Sequence, residues 1–527
     1  MAKDVFLYDS TLRDGAQTEG ISFTVDDKVK IARRLDEFGI DYIEGGWPGA
    51  NPTDIAFFER AADLGLRHAK LAAFGSTRRA RLAVEDDPQV RQLAQLGVPV
   101  ITIVAKSWDL QVEEVLRTTR EQNLAMIDDT VRYLKSNDVE LIVDAEHFFD
   151  GYRADPEYAL ATLQAAAEAG ADQVVLCDTN GGTLPHELIP AVAAVRAAVS
   201  TPLGIHAHND SDVAVANSLA AVGAGVGHVQ GTINGYGERC GNANLCSIIP
   251  ALQVKMGKVC VTEEALGRLY ELSHYVAEIV NMPPLERQPY VGRSAFAHKG
   301  GLHVDAVMKR PEAYEHLDPE RVGNQRRLLV SDQAGGSAIL ERAGRLEIEL
   351  AKDSPETHAI IARVKEMEHE GYQFEAAEAS LELLMKKSVG HYRSLFDLEG
   401  FRVIIEKRPG GEILSEATIK VGVGGRHEHT AAEGDGPVHA LDRALRKALE
   451  PFYPELSAIR LTDFKVRVLG TSTAAKVRVL VESADETDSW STVGVHENII
   501  EASWHALVDS VEYGLMKRGT GAPLGAK

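Results

Sequence analysis

The sequence predicts an α/β protein: a (β/α)8 barrel of the TIM type, then a mostly helical linker, then a small α+β domain. Three observations carry this reading. Eight short apolar runs alternate with amphipathic stretches over roughly the first 250 residues, the length and repeat of such a barrel. The alternation stops after residue 280, where the proline-bearing segment NMPPLERQPYVG begins. It returns from residue 391 as a βββα pattern followed by a second βββα pattern.

The barrel strands are read at VFLYDST (from Val5), YIEGGW (Tyr42), KLAAFG (Lys70), VITIVAK (Val100), ELIVDAEHF (Glu140), QVVLCDT (Gln173), LGIHAHN (Leu203) and HVQGTING (His228). Runs this apolar, separated by helical segments such as VDDKVKIARRLDEFG and PEYALATLQAAAEAGA, describe parallel strands buried on both faces. No G-x-G-x-x-G follows the first run, which argues against a doubly wound dinucleotide-binding sheet. The expected boundaries are barrel 1–280, linker 281–390, α+β domain 391–518 and a flexible tail 519–527. Within the linker, SPETHAIIARVKEMEHEG and FEAAEASLELLMKKS read as helices. In the last domain, FRVIIEK, EATIKVGVGG and HEHTAAEG precede the helix PVHALDRALRKALEPF. The set repeats as IRLTDFKVRVL, AKVRVLVES and WSTVGVHEN before IIEASWHALVDSVEYGLMKR.

Composition narrows the function. Hydrophobic residues make up 44% and charged residues 25% of the 527, ordinary for a soluble globular protein. A formal net charge of −22 argues against nucleic acid or an anionic membrane as main partner. A local basic loop still leaves room for an anionic substrate. Four cysteines without a C-x-x-C pair predict free thiols in a reducing cytoplasm. Neither a signal-peptide pattern nor an apolar run of about 18 residues is present, so no membrane span is expected.

Active sites of such barrels gather at the C-terminal strand ends. Those ends carry Arg13 and Asp14, Glu44, Lys106, Glu146, Thr179, His206 and His208, then Asn234 with Asn242. His206 and His208 lie two apart, so a strand points both imidazoles the same way. With Asp14 and Asn242 they make a candidate mixed N/O site for Zn, Mn or, with more carboxylate, Mg. Arg13 beside a metal ligand implies an oxyanion nearby, since a guanidinium is always charged and donates as a fork. Glu146 is expected to pair with Arg13 or to help in proton transfer. Thr179, Gln17 and Glu44 join Arg13 as the substrate-binding set. In the glycine-rich loop NGYGERCGN, Asn234, Gly235, Gly237 and Arg239 form the candidate coenzyme-binding set, because glycines allow close backbone approach. Cys240 lies in the same loop without an evident base. His298 and His303 stand in FAHKGGLHVDAVMK, outside the barrel.

The ordered motifs STLRDGAQTEG, IHAHND, NGYGERCGNAN and GGLHVDAVMK resemble those of the 2-isopropylmalate, homocitrate and citramalate synthase family. IEGGWPGANPTD, DAEHFFDGY, VGNQRRLLVSD and GYQFEAAEASLELL are most similar to its long citramalate synthase type. The resemblance spans nearly the whole chain. It implies a metal-dependent Claisen-type condensation of acetyl-CoA, the co-substrate, with a small 2-oxo acid, pyruvate for this type. It implies Asp14, His206 and His208 as metal ligands with Asn242 near them, and Arg13 at the oxyanion supported by Glu146. It places Thr179 on the substrate carboxylate and makes His303 an acid/base group from a partner subunit, in a homodimer that exchanges linkers. The last domain would bind an end-product amino acid, isoleucine for this type. A 2-isopropylmalate or homocitrate synthase, a hydroxymethylglutaryl-CoA lyase-like enzyme and a sensor without catalysis are the alternatives. Two positions depart from the family pattern. Arg326 stands where a tyrosine is usual, and Asp144 puts a carboxylate on the expected substrate wall.

Overall fold

The computed structural model describes residues 3–61, 64–329, 336–345, 350–351, 354–390, 392, 394–407, 409–411, 413–470 and 475–519. Two compact units emerge: Met1–Phe296 with Leu317–Gln325, and Ala297–His316 with Arg326–Lys527. The expected tail falls outside the described residues apart from Gly519.

In the first unit eight parallel strands close a barrel in sequence order. They are β1 (Phe6–Asp9), β2 (Tyr42–Gly46), β3 (Lys70–Ser76), β4 (Val100–Lys106), β5 (Glu140–Glu146), β6 (Gln173–Asp178), β7 (Leu203–Ala207) and β8 (His228–Gly231). Pairing of Phe6–Asp9 with His228–Gly231 shuts it. Side chains alternate along each strand. Leu7, Ile43, Ile101, Leu141, Val143, Val174, Ile205 and Val229 face the helices in one core. Tyr8, Tyr42, Val100, Ile142, Val175 and Cys177 form a separate interior cluster. Counting by two from that interior set leads to Ser10, Glu44, Thr102, Asp144 and Thr179, and the same face of β7 and β8 holds His206, His208 and Gln230. The barrel interior therefore turns from apolar to polar towards the C-terminal ends.

The helices follow from caps and stripes. In α1 (Val25–Phe38), Thr24 and Asp27 close a capping box, and Gly39 ends the helix at φ 96°. Its Val29, Ala32, Leu35 and Phe38 fall on one buried face. A later barrel helix, Pro156–Ala169, starts on an Asp155 cap and stops at Gly170 the same way.

The second unit ends in the two expected βββα sets. The antiparallel strands β9 (Asp397–Lys407), β10 (Ile413–Val423) and β11 (Arg426–Gly434) precede the helix Pro437–Leu449. Likewise β12 (Arg460–Val468), β13 (Val477–Ala484) and β14 (Ser489–His496) precede Ile499–Lys517. Ala417, Ile419, Val421 and Val423, every second residue of β10, are buried against the Leu441, Leu445 and Leu449 stripe. All four cysteines are free. No described helix is long and apolar enough to cross a membrane.

Candidate functional site

The loop after β1 is a tight turn in which the N–H groups of Arg13, Asp14 and Gly15 all donate to the Ser10 carbonyl. The turn is tied to its neighbour in the closed barrel, because Ile233 N–H, just beyond β8, donates to Thr11 Oγ1 at 2.9 Å. Loop 1 is thereby held beside loop 8, with β7 next in the barrel. The sequence leaves these three segments up to about 230 residues apart, and barrel closure brings them together.

Asp14, His206 and His208 are buried and offer ligand atoms that all lie within 4.8 Å of one another. His206 Nε2 stands 3.3 Å from His208 Nε2 and 3.3 Å from Asp14 Oδ2. Asn242 bridges to His208 through the backbone, and its buried Oδ1 has no hydrogen-bond partner. Gly237 makes room for that amide: a Cβ there would meet Asn242 Nδ2 at 2.3 Å. Burial opposes charge on Asp14, yet Arg13 and then His206 hold its carboxyl well below the usual range. Burial and then the neighbouring His206 push His208 down to about 3, whereas Asp14 raises His206 despite burial. Three carboxylates, Asp14, Glu44 and Asp144, lie buried around one guanidinium. This negative excess, the converging nitrogens and the orphaned amide oxygen fit a divalent cation held by nitrogen and oxygen donors.

Arg13 is held from β2. Glu44 is fully buried, and its Oε2 accepts from Arg13 Nε at 2.6 Å and Ser10 Oγ at 2.6 Å. Its Oε1 accepts from Tyr8 Oη at 2.6 Å. The guanidinium also lies 4.0 Å over the Phe74 ring. Two expectations change here. Glu44 is the carboxylate that orients Arg13, a role assigned above to Glu146. Glu146 pairs instead with Lys106, its register neighbour across β4 and β5. β2 pairs with β1 in the closed barrel, which sets Glu44 beside the turn that carries Arg13, while Glu146 is taken up by Lys106.

The remaining candidates divide. Thr179 Oγ1 accepts from His147 N–H at 2.9 Å, so the hydroxyl is engaged at the end of β6. Gln17 lines a cleft of about 330 Å³ with Arg13, Trp47 and Asn51. Asn234, Gly235, Gly237 and Arg239 are tied into the fold. Asn234 donates to the Ser273 carbonyl and accepts from Ser273 Oγ. Gly237 N–H donates to Thr18 Oγ1 at 2.7 Å, and Arg239 forks onto Asp210. Gly235 holds φ +73° under Asn244. Cys240 is exposed.

In the second unit His298 Nε2 meets Glu315 Oε1 at 3.1 Å, and Arg326 grips both oxygens of Glu315 at 2.6 and 2.5 Å. Arg326, the departure from the family tyrosine, thus fixes Glu315 beside His298. His303 is exposed and stacks on Tyr314 at 4.3 Å.

Sequence reasoning missed Ser10, Tyr8 and Gln230. Their signal was a polar side chain at the inward phase of an apolar run. Gln230 Oε1 lies 2.8 Å from His206 Nδ1, and its Nε2 donates to Asp144 Oδ1 at 3.0 Å. Asp144 therefore sits behind a candidate ligand, and burial pushes its carboxyl up to about 7.

Known proteins are similar to this chain along nearly its whole length. Residues 4–276 match the HMGL-like family, 290–372 the homocitrate synthase post-HMGL domain-like family, and 375–515 the LeuA allosteric (dimerisation) domain. An (R)-citramalate synthase of Geobacter sulfurreducens is 58% identical over 97% of this chain and 98% of its own. One from Aquifex aeolicus is 56% identical over 98% of this chain and 99% of its own. A probable 2-isopropylmalate synthase of Methanopyrus kandleri is 34% identical over 97% of this chain and 98% of its own.

Proposed function

From a chain that belongs to the HMGL-like family, in the form that also carries a LeuA allosteric domain, we propose an (R)-citramalate synthase. It condenses acetyl-CoA with pyruvate and water to give (R)-citramalate and CoA. One observation carries this reading: a chain 58% identical to an (R)-citramalate synthase over nearly its full length has Asp14, His206 and His208 converged beside Arg13.

Asp14, His206 and His208, with Asn242 near them, would hold the divalent metal, Zn, Mn or Mg. When bound, it supplies a Lewis acid that polarises the keto and carboxylate oxygens of the 2-oxo acid. Arg13, with Nε committed to Glu44, turns its remaining N–H groups to the oxygen that gains charge as the keto carbon is attacked. Glu146, steadied by Lys106, and His303 are the groups assigned to moving the methyl proton of acetyl-CoA. Thr179 and Gln17 border the substrate space. The cleft beside Arg13 is of a size for a small-molecule site and gives the thioester room. Asn234, Gly235, Gly237 and Arg239 shape the coenzyme side through the backbone they hold in place. Water then cleaves the thioester and releases CoA.

The second unit is assigned to isoleucine binding and to a homodimer that exchanges linkers. Exposed Ile405, Ile413, Val466 and Val468 on its strands supply apolar surface for a second copy. The test is release of free CoA with a panel of pyruvate, 2-oxobutyrate, 2-oxoisovalerate and 2-oxoglutarate, each with and without isoleucine or leucine. Preference for pyruvate with isoleucine inhibition is expected. Preference for 2-oxoisovalerate with leucine inhibition would move the chain to isopropylmalate synthesis.

A further inference from the structure

We propose that Asp144 and Gln230 are a pair of positioning residues that fix the tautomer of His206 and so leave its Nε2 free to ligate a metal. The inference rests on the metal reading above. Its starting point is a chain of three buried side chains running from β5 through β8 to β7. Asp144 Oδ1 accepts from Gln230 Nε2 at 3.0 Å, and Gln230 Oε1 faces His206 Nδ1 at 2.8 Å. All three are buried, Gln230 completely.

The chemistry gives the chain a direction. A neutral imidazole carries one N–H, and the partner of one nitrogen decides which nitrogen that is. A carboxamide alone cannot decide. With its oxygen towards Nδ1 it demands Nδ1–H and frees the Nε2 lone pair. Turned over, it offers N–H to Nδ1 and forces the proton onto Nε2, the atom that faces Asp14 and His208. A glutamine in an unpolarised pocket would be nearly indifferent between the two. Asp144 removes the indifference, because a carboxylate only accepts hydrogen bonds and so holds the NH2 group on its own side. The Gln230 oxygen must then point at His206. The carboxylate on the substrate wall thus specifies a ligand two residues away in the chain of bonds. Fixing the ring through such outer partners typically alters metal affinity 10- to 100-fold.

The pair predicts a rescue that simple packing does not. Asp144→Asn is nearly isosteric but can face Gln230 with either end, so the lock is lost. Gln230→Glu alone sets two carboxylates against each other. Together, Asp144→Asn and Gln230→Glu restore the direction. The amide introduced on β5 then donates to the carboxylate introduced on β8, and that carboxylate accepts from His206 Nδ1–H.

The experiment titrates Mn2+ into metal-free full-length protein at pH 8, reading free Mn2+ by electron paramagnetic resonance, with thermal unfolding of each metal-free variant alongside. Expected are ~10- to 100-fold weaker binding in Asp144→Asn and recovery to within a few-fold of wild type in the double variant. Gln230→Met, which keeps the volume and removes both polar ends, is expected to lose affinity like Asp144→Asn. Wild-type affinity in both Asp144→Asn and Gln230→Met, or a double variant as weak as Asp144→Asn, overturns the proposal while the metal reading stands. A wild-type chain that takes up no Mn2+ overturns the metal reading and this inference with it.

Discussion

The Glu44 carboxylate meets the Arg13 guanidinium at 2.6 Å with Glu44 fully buried and Tyr8 and Ser10 on its remaining lone pairs. An ion pair in such a place is not mainly a source of stability, because taking both charges out of water offsets much of their attraction. Its effect is geometric. Arg13 cannot turn away from the Asp14 side of the barrel without leaving the Glu44 charge unpaired. Arg13→Lys should therefore keep the charge, lose the fork and lower CoA release ~10²- to 10³-fold, the range for loss of one oxyanion donor. Steady-state kinetics at saturating pyruvate checks this, and a loss confined to KM would remove Arg13 from the oxyanion role. Glu44→Gln should cost about 3–5 kcal/mol of unfolding free energy by stranding Arg13.

Metal removal is the second prediction. Chelation should abolish CoA release, and Mn2+ or Zn2+ should restore it. Asp14→Asn, which exchanges a charged oxygen donor for a neutral one, should weaken metal uptake and turnover together. Metal content by elemental analysis, taken beside activity, separates the two effects. Full activity of Asp14→Asn after exhaustive chelation would sink the metal assignment.

The sequence made the strands, their order and the His206–His208 pair legible because each rests on local periodicity. Apolar runs locate strands, and a two-residue spacing puts two side chains on one face. Partner choice is different. Whether Arg13 takes Glu44 or Glu146 depends on which inward-facing side chains the closed barrel brings together, and whether Lys106 meets Glu146 depends on parallel register. Both are long-range outcomes that no window of residues contains. Asp144 shows the same limit: its carboxylate looked out of place until Gln230, 86 positions away, supplied the bond that explains it. The partners of Asn234 and Arg239 escape a local reading for a related reason. A glycine-rich loop advertises close approach, and here the loop's own backbone, Ser273, Thr18 and Asp210 make it, all but one of them from distant segments.

Gly237 offers a third test, of the loop itself. A methyl group there would lie 2.3 Å from Asn242 Nδ2, so Gly237→Ala must displace the side-chain amide of a residue that bridges to His208 through its backbone. The backbone, at φ +159°, lies where residues with a Cβ are rarely found and adds strain of its own. The cost should therefore fall on the site and on stability together. Metal affinity is expected to drop several-fold along with a lower thermal midpoint. A large fall in midpoint with unchanged affinity would show the glycine serving only the fold.

His228 supplies a pH prediction remote from the chemistry. Its ring packs against both Tyr8 and Tyr42, 5.4 and 5.5 Å from their centroids, while those two stack on each other, and neither nitrogen has a hydrogen-bond partner. Burial alone lowers its pKa from 6.5 to about 3. In the folded barrel the ring thus stays neutral where the unfolded chain would already bind a proton. Stability from this residue is intact above pH 6.5 and is lost as pH falls from 6.5 towards 3, because the unfolded state then holds more protons. The slope should approach about 1.4 kcal/mol per pH unit across that window. His228→Phe keeps an aromatic ring against the two tyrosines and cannot titrate. Its unfolding free energy should track wild type above about pH 7 with a constant offset, then fall less steeply once the ordinary imidazole range is entered. Denaturant titrations at pH 7.5, 6.5 and 5.5 (about one unit either side of the ordinary imidazole value) read the difference directly. Parallel curves through that range would mean that His228 is protonated in the folded barrel or already neutral in the unfolded chain, and the linkage would fail.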